Sequence, residues 1–160
     1  MSSFVIDGGY KLSGEIHVQG AKNEALEVIS AVLLTDQCVR ITNIPEILDT
    51  LNLIALLENM GVSVQKNGKG DYSFTADRID LDYVFSPRFV ESSAKLRGSV
   101  MIAGPLLARF GSAYFPKPGG DKIGRRRVDT HIDGFVKLGA LYEYDPLYHA
   151  YHLTAPNGLK

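Results

Sequence analysis

One pattern of helix and hairpin occurs twice in this chain, and it constrains the fold more than any bulk property. Leu57-Glu58-Asn59-Met60-Gly61-Val62-Ser63-Val64, a turn, and Tyr72-Ser73-Phe74-Thr75-Ala76 form the first copy. Phe135-Val136-Lys137-Leu138-Gly139-Ala140-Leu141-Tyr142, a turn, and Tyr151-His152-Leu153-Thr154-Ala155 form the second. Gly61 and Gly139 lie 78 residues apart and Thr75 and Thr154 lie 79 apart, so the two turns differ by one residue. Each copy reads as a helix stopped by glycine and followed by two alternating strands. Asn67-Gly68 is the turn signal of the first hairpin and Asp145-Pro146 that of the second.

Each hairpin has a further helix and strand upstream. In the first copy, Leu26, Ile29, Val32 and Leu33 recur at helical spacing and predict a helix over residues 23–34. A strand over 38–42 and a second helix over 47–60 follow. In the second copy a helix runs over 92–110, kinked where Gly104-Pro105 interrupts the hydrogen-bond ladder. A strand at 113–115 and a helix over 128–138 complete it. Both copies read αβαββ, or βαβαββ with an incoming strand. The fold class is therefore α/β (α+β) with repeated units.

A chain of 160 residues can hide roughly 70% of its extended surface. With 45% hydrophobic and 22% charged residues it has the composition of a globular protein. A net charge of -1 argues against bulk binding of nucleic acid. The longest apolar stretches, 25–34 and 99–108, are about half the ~20 residues of a membrane span. No charged segment followed by an apolar core opens the chain, so no signal peptide is expected. The single cysteine, Cys38, fits a reducing cytoplasm and reads as a small buried hydrophobe in a strand.

Residues 118–131 carry the chemistry: Pro-Gly-Gly-Asp-Lys-Ile-Gly-Arg-Arg-Arg-Val-Asp-Thr-His. Between Asp121 and Asp129 stand Lys122, Arg125, Arg126 and Arg127, a net charge of +2 on a glycine-rich loop. Backbone N–H groups can approach an anion there, and guanidinium forks can grip phosphate or carboxylate. The loop resembles the catalytic loop of the UDP-N-acetylglucosamine enolpyruvyl transferase (MurA) family. Gly20-Ala21-Lys22-Asn23 is similar to that family's N-terminal signature. Leu96-Arg97-Gly98-Ser99 and Gly104-Pro105-Leu106-Leu107-Ala108-Arg109-Phe110-Gly111 are similar to its central helix. The resemblance runs from about Phe4 to the end.

The resemblance implies an inside-out α/β barrel enzyme of six βαβαββ units in two domains. This chain would supply two units of one domain, at 20–84 and 85–160. Residues 4–7 and 12–18, within 1–19, would be strands of the opposite domain. The implied reaction moves the enolpyruvyl group of phosphoenolpyruvate to the 3-hydroxyl of UDP-N-acetylglucosamine and releases phosphate, as the first committed step of peptidoglycan synthesis. No metal or other cofactor is expected. Surfaces meant for the missing parts could drive self-association.

By the same resemblance, Lys22 and Asn23 contact the substrates just ahead of a helix start, where an anion is already favoured. A helix cap with a solvated lysine is the competing reading. Arg97 is an active-site arginine, or else a partner in a structural salt bridge. Arg126 binds phosphate, and Arg127, Val128, Asp129 and Thr130 line the uridine and diphosphate. Arg127 replaces the commoner proline, which favours a backbone contact there over a side-chain role; Asp129 is also placed to cap the next helix. Asp121 stands where the family usually has the cysteine alkylated by fosfomycin, the proposed proton donor. Aspartate cannot form that thioether but can donate a proton if its pKa rises; the plainer reading is a turn residue. Arg109 reads as a surface residue and His131 as structural. His17, His149 and His152 lack the company of a metal site. Tyr142, Tyr144, Tyr148 and Tyr151 read as cross-strand packing.

The alternatives are a shikimate-phosphate enolpyruvyl transferase, whose signature has Ser-Lys-Ser in place of Ala21-Lys22-Asn23, and a fragment that binds without catalysis. RNA 3'-phosphate cyclase is a more distant relative whose nucleotidyl-accepting histidine has no counterpart here. Half of a catalytic constellation retains little of the rate, so no turnover is expected from this chain alone.

Overall fold

The computed structural model describes residues 3–117 and 127–160. Helix α1 (Lys22–Ala31) runs on as one 3-10 turn, Val32–Leu34. Strand β1 (Val39–Ile41), helix α2 (Leu48–Asn59) and the hairpin β2 (Ser63–Gly68) and β3 (Asp71–Thr75) complete the first copy. The short α3 (Leu81–Val84) connects to α4 (Pro87–Ala94), a 3-10 segment Arg97–Ile102, and α5 (Ala103–Phe110). Strand β4 (Ser112–Pro116), helix α6 (Asp129–Lys137), β5 (Leu141–Asp145) and β6 (Ala150–Thr154) complete the second.

Each copy builds a three-stranded antiparallel sheet with its last strand in the centre, β1-β3-β2 and β4-β6-β5. Phe74 on β3 faces Val39 on one side and Val64 on the other; Leu153 on β6 faces Ala113 and Tyr142. The helix stops also repeat. The Val62 N–H bonds the Leu57 carbonyl at 3.0 Å, and the Ala140 N–H bonds that of Phe135 at 2.9 Å. Both are the 6→1 bond of a Schellman motif, with Gly61 at φ +99° and Gly139 at φ +94°. The helices share one core, in which Ile29, Leu33, Leu53, Leu57, Phe89, Ile102 and Leu106 are all sealed from solvent.

The structure departs from the sequence expectations in several places. Residues 4–7 and 12–18 form no strand, and their apolar side chains stand in solvent (Phe4 is 99% exposed). Two short alternating runs cannot hold strand geometry without a sheet to join. The first hairpin turns at Lys69-Gly70, two residues after Asn67-Gly68, with a bulge between Lys66 and Gly68. Glu46 explains the shift: its carboxylate accepts from the Gly70 N–H (3.0 Å) and the Tyr72 hydroxyl (2.8 Å), and pairs with Lys66 (2.8 Å). These contacts, the Lys66 bond foremost, hold the Glu46 pKa down to about 2.

The helix expected over 92–110 is broken at Lys95-Leu96, not kinked at Pro105. The Ser99 hydroxyl donates to the carbonyls of Ser93 (2.8 Å) and Leu96 (2.7 Å), acceptors that a continuing helix would need for its own N–H groups. Pro105 falls in the first turn of α5, where a missing N–H costs nothing. Cys38 is exposed just before β1, not buried. Arg109 is half-buried, not a surface residue: its Nη1 donates to the carbonyls of Leu33 (3.1 Å), Thr35 (3.0 Å) and Ala76 (2.7 Å), tying α5 to the first copy. Tyr144 and Tyr151 pack across strands, with their rings 5.3 Å apart.

Candidate active site

The first turn of any helix leaves backbone N–H groups without intrahelical partners and carries the positive end of the dipole. Helix α1 begins this way at Lys22 and Asn23, with no side-chain cap from Ala21. The two residues lie inside the first turn, not ahead of it. What brings the chain to this point is Gly20: a Cβ there would sit 2.1 Å from the Asn43 carbonyl oxygen. Only glycine permits this approach without a backbone shift.

A second close approach sets the opposite wall. A Cβ on Gly98 would lie 3.0 Å from Leu26 Cδ1, so the 3-10 segment Arg97–Ile102 packs tightly on α1. Arg97 thereby comes to the same cleft as Lys22 and Asn23. The cleft has a volume of about 530 Å³, within the ~300–1,000 Å³ range of small-molecule sites. Leu26, Leu48, Leu96, Val100 and Met101 supply apolar walls, and Glu27, Asp49, Asn52, Lys95 and His131 add polar groups.

The cations in this cleft differ in how they are held. Lys22 Nζ meets Asp49 Oδ2 at 2.5 Å, a bridge between the first turns of α1 and α2. Lys95 pairs with Glu91 one turn earlier, at 3.0 Å. Arg97 is half-buried and, among the described residues, its side chain takes part in no ion pair or hydrogen bond. A partly desolvated guanidinium calls for an anion, and the structural salt bridge that could have supplied one is not formed among the described residues.

The loop's far end lies in a different arrangement from that expected. Asp129 does not cap α6; it opens the helix's first turn, with Val128 before it. The Arg127 side chain clamps it in bidentate fashion, Nε to Oδ1 at 2.9 Å and Nη2 to Oδ2. This carboxylate raises the pKa of Arg127 further. Val128 is buried in the core and Thr130 is exposed. None of residues 127–130 lines the cleft, although His131, one position further on, does. Asp121 and Arg126 lie outside the described residues.

Lys22, Asn23 and Arg97, singled out from the sequence, line one cleft, together with Asp49, Asn52 and His131, which the sequence did not mark as their neighbours. Asp49 could have been found from its place in the first turn of α2, where a carboxylate is favoured. Among the described residues no group of three or more His, Cys, Asp or Glu side chains could hold a metal ion, and no helix is long and apolar enough to cross a membrane.

The family model for EPSP synthase (3-phosphoshikimate 1-carboxyvinyltransferase) matches residues 6–154. A UDP-N-acetylglucosamine 1-carboxyvinyltransferase of Porphyromonas gingivalis is 59% identical over 155 residues, which is 97% of this chain and 36% of that protein. One from Bacteroides thetaiotaomicron is 56% identical over the same shares. The chain spans about a third of the length of these curated relatives. Among solved structures, the enolpyruvyl transferase NikO from Streptomyces tendae superposes with a TM-score of 0.73 at 21% identity, covering 95% of this chain and 32% of that one. An EPSP synthase from Acinetobacter baumannii gives 0.61 at 17% identity, covering 92% and 33%. These structural likenesses establish the fold as that of the enolpyruvyl transferases. With the family match running over most of its residues, the chain belongs to the EPSP synthase family of enolpyruvyl (1-carboxyvinyl) transferases.

Proposed function

We propose that this chain forms a substrate-binding part of a UDP-N-acetylglucosamine 1-carboxyvinyltransferase, which transfers the enolpyruvyl group of phosphoenolpyruvate to the sugar 3-hydroxyl and releases phosphate. The observation that carries the reading is the Arg97 guanidinium, half-buried and without a partner among the described residues, in one cleft with Lys22 and Asn23 at the start of α1. Identities of 55–59% to sugar-nucleotide transferases favour this substrate over shikimate phosphate, and Ala21-Lys22-Asn23 favours it too.

In this reading the α1 N-terminus and Arg97 hold anionic groups, where dipole and guanidinium act together. Lys22 contributes a point charge that Asp49 orients. Arg126 adds a second guanidinium for phosphate, and Asp121 supplies the proton to the vinyl carbon in place of cysteine. Residues 127–130, which lie outside the cleft, meet the uridine and diphosphate where the substrate extends beyond it. An enzyme with Asp121 resists fosfomycin because it offers no thiolate. The reaction belongs to the cytoplasm, which suits an exposed single cysteine. The exposed apolar residues of the 1–19 segment, and Leu138, Leu141 and Tyr142, await the rest of the enzyme or a second copy.

A 15N–1H NMR titration of the chain with UDP-N-acetylglucosamine tests the reading. Shifts centred on Lys22, Asn23 and Arg97 support it. A well-dispersed spectrum that does not respond, or responds elsewhere, counts against a half-site in this chain. Phosphate release that depends on both substrates and disappears in Arg126→Ala would overturn the expectation that the chain alone is inactive.

A further inference from the structure

Arg109 does work for the cleft without touching it. Its Nη1 gathers three backbone carbonyls: Leu33 and Thr35, which end the helical run from α1, and Ala76, which follows β3. A cation is favoured at a helix C-terminus, and the guanidinium also lies 4.9 Å from the Phe110 ring centroid. One side chain of the second copy thus fixes the trailing end of α1, whose leading end carries Lys22 and Asn23.

Between these ends lies a second attachment, the tight contact of Leu26 with Gly98. Helix α1 is then held at its trailing end and at Leu26, while Asp49 meets Lys22 at its leading end. Lys22 lies four residues before Leu26, about 6 Å along the axis, and Leu33 lies about 11 Å beyond it. A shift of about 1 Å at the trailing end, pivoting on Leu26, swings Lys22 by at most about half that distance against the restraint of Asp49. Arg97 adjoins the pivot at Gly98 and stays put, so the separation between the cleft's two walls changes.

We infer that Arg109 is a positioning residue: by clamping the C-terminal end of α1 it sets Lys22 and Asn23 at their working distance from Arg97. A remote change that misplaces a group by 1 Å can cost about 100-fold in rate, and a smaller displacement of Lys22 and Asn23 predicts weaker binding. The affinity arm of the test rests on the function proposed above; the ligand-free arm does not.

The experiment compares the 160-residue chain with its Arg109→Met and Arg109→Lys variants by 15N–1H NMR, first without ligand and then with UDP-N-acetylglucosamine. Without ligand, Arg109→Met displaces the amide peaks of Lys22, Asn23 and Glu24 as well as those near Leu33 and Ala76, and Arg109→Lys brings them part of the way back. Displacement confined to residues 33–35, 76 and 109 overturns the inference, because a local structural bolt would do no more. If Arg109→Met does not fold, Arg109→Lys decides alone: it keeps the charge but not the fork, so unmoved Lys22 and Asn23 peaks overturn the inference. With ligand, Arg109→Met binds measurably more weakly than the unaltered chain. Failure of the unaltered chain to bind tells against the functional reading only, and the ligand-free peaks still settle Arg109.

Discussion

Replacing Arg97 by methionine separates the two roles a half-buried guanidinium can play. Among the described residues the Arg97 side chain makes no hydrogen bond or ion pair, so the substitution breaks none there. Methionine keeps an apolar stem of similar length in a cleft with apolar walls, and the partly desolvated charge disappears. The expected change in stability is within about 0.5 kcal/mol, or about 2 °C in Tm for a domain of this size. Binding behaves differently. A hydrogen bond to a charged group contributes about 1.5–3 kcal/mol, and each 1.4 kcal/mol is tenfold, so affinity for UDP-N-acetylglucosamine should fall by about 10- to 150-fold. Calorimetric titration at fixed ionic strength, paired with a thermal melt of the same samples, reads both quantities. A Tm loss of more than about 4 °C with unchanged affinity would refute the reasoning. It would mean that Arg97 serves the fold and that its anion comes from the chain itself.

Three further predictions address other parts of the molecule. Gly20→Ala forces a Cβ to within 2.1 Å of the Asn43 carbonyl and should cost about 1–3 kcal/mol; an unchanged denaturation midpoint would show that the backbone yields freely there. Glu46 has its pKa lowered from 4.5 to about 2 on folding, so its contribution is complete above pH ~4.5 and is lost as pH falls toward 2. Urea titrations between pH 5 and 2 should therefore show a shallower loss of stability in Glu46→Gln than in the unaltered chain, and equal slopes would contradict the assignment. In a full-length enzyme carrying this segment, Asp121→Cys should create time-dependent inactivation by fosfomycin, with the adduct mass on the peptide spanning residues 118–131. Inactivation of the aspartate form would sink the proposal for Asp121.

The parts of the fold legible in advance were those governed by local periodicity. Leu26, Ile29, Val32 and Leu33 marked one helix face, and all four are buried. Gly61 and Gly139 marked two helix ends because positive φ is a local need. The misses came from contacts between distant residues. Asn67-Gly68 is a sound hairpin signal on its own, but Glu46, more than twenty residues earlier, holds the turn at Gly70. The break at Lys95-Leu96 depends on where the Ser99 hydroxyl finds acceptors, and the carbonyls that make Arg109 half-buried come from two separate places in the chain, residues 33–35 and 76. The cleft was legible at Lys22, Asn23 and Arg97, through motifs. It was not legible at Asp49, Asn52 and His131, which reach it only through helix packing.

The central place of the last strand in each sheet bears on how the chain is made. The outer strands β1 and β2 do not pair with each other; both pair with β3, and β4 and β5 likewise both wait for β6. A nascent chain that has emerged only as far as Gly68 holds two strands with nothing between them. The arrival of Thr75 closes the first sheet in a single event, and Thr154 closes the second. Synthesis from the N-terminus should therefore yield two discrete steps of protection against proteolysis, each about as late as a unit of this kind allows.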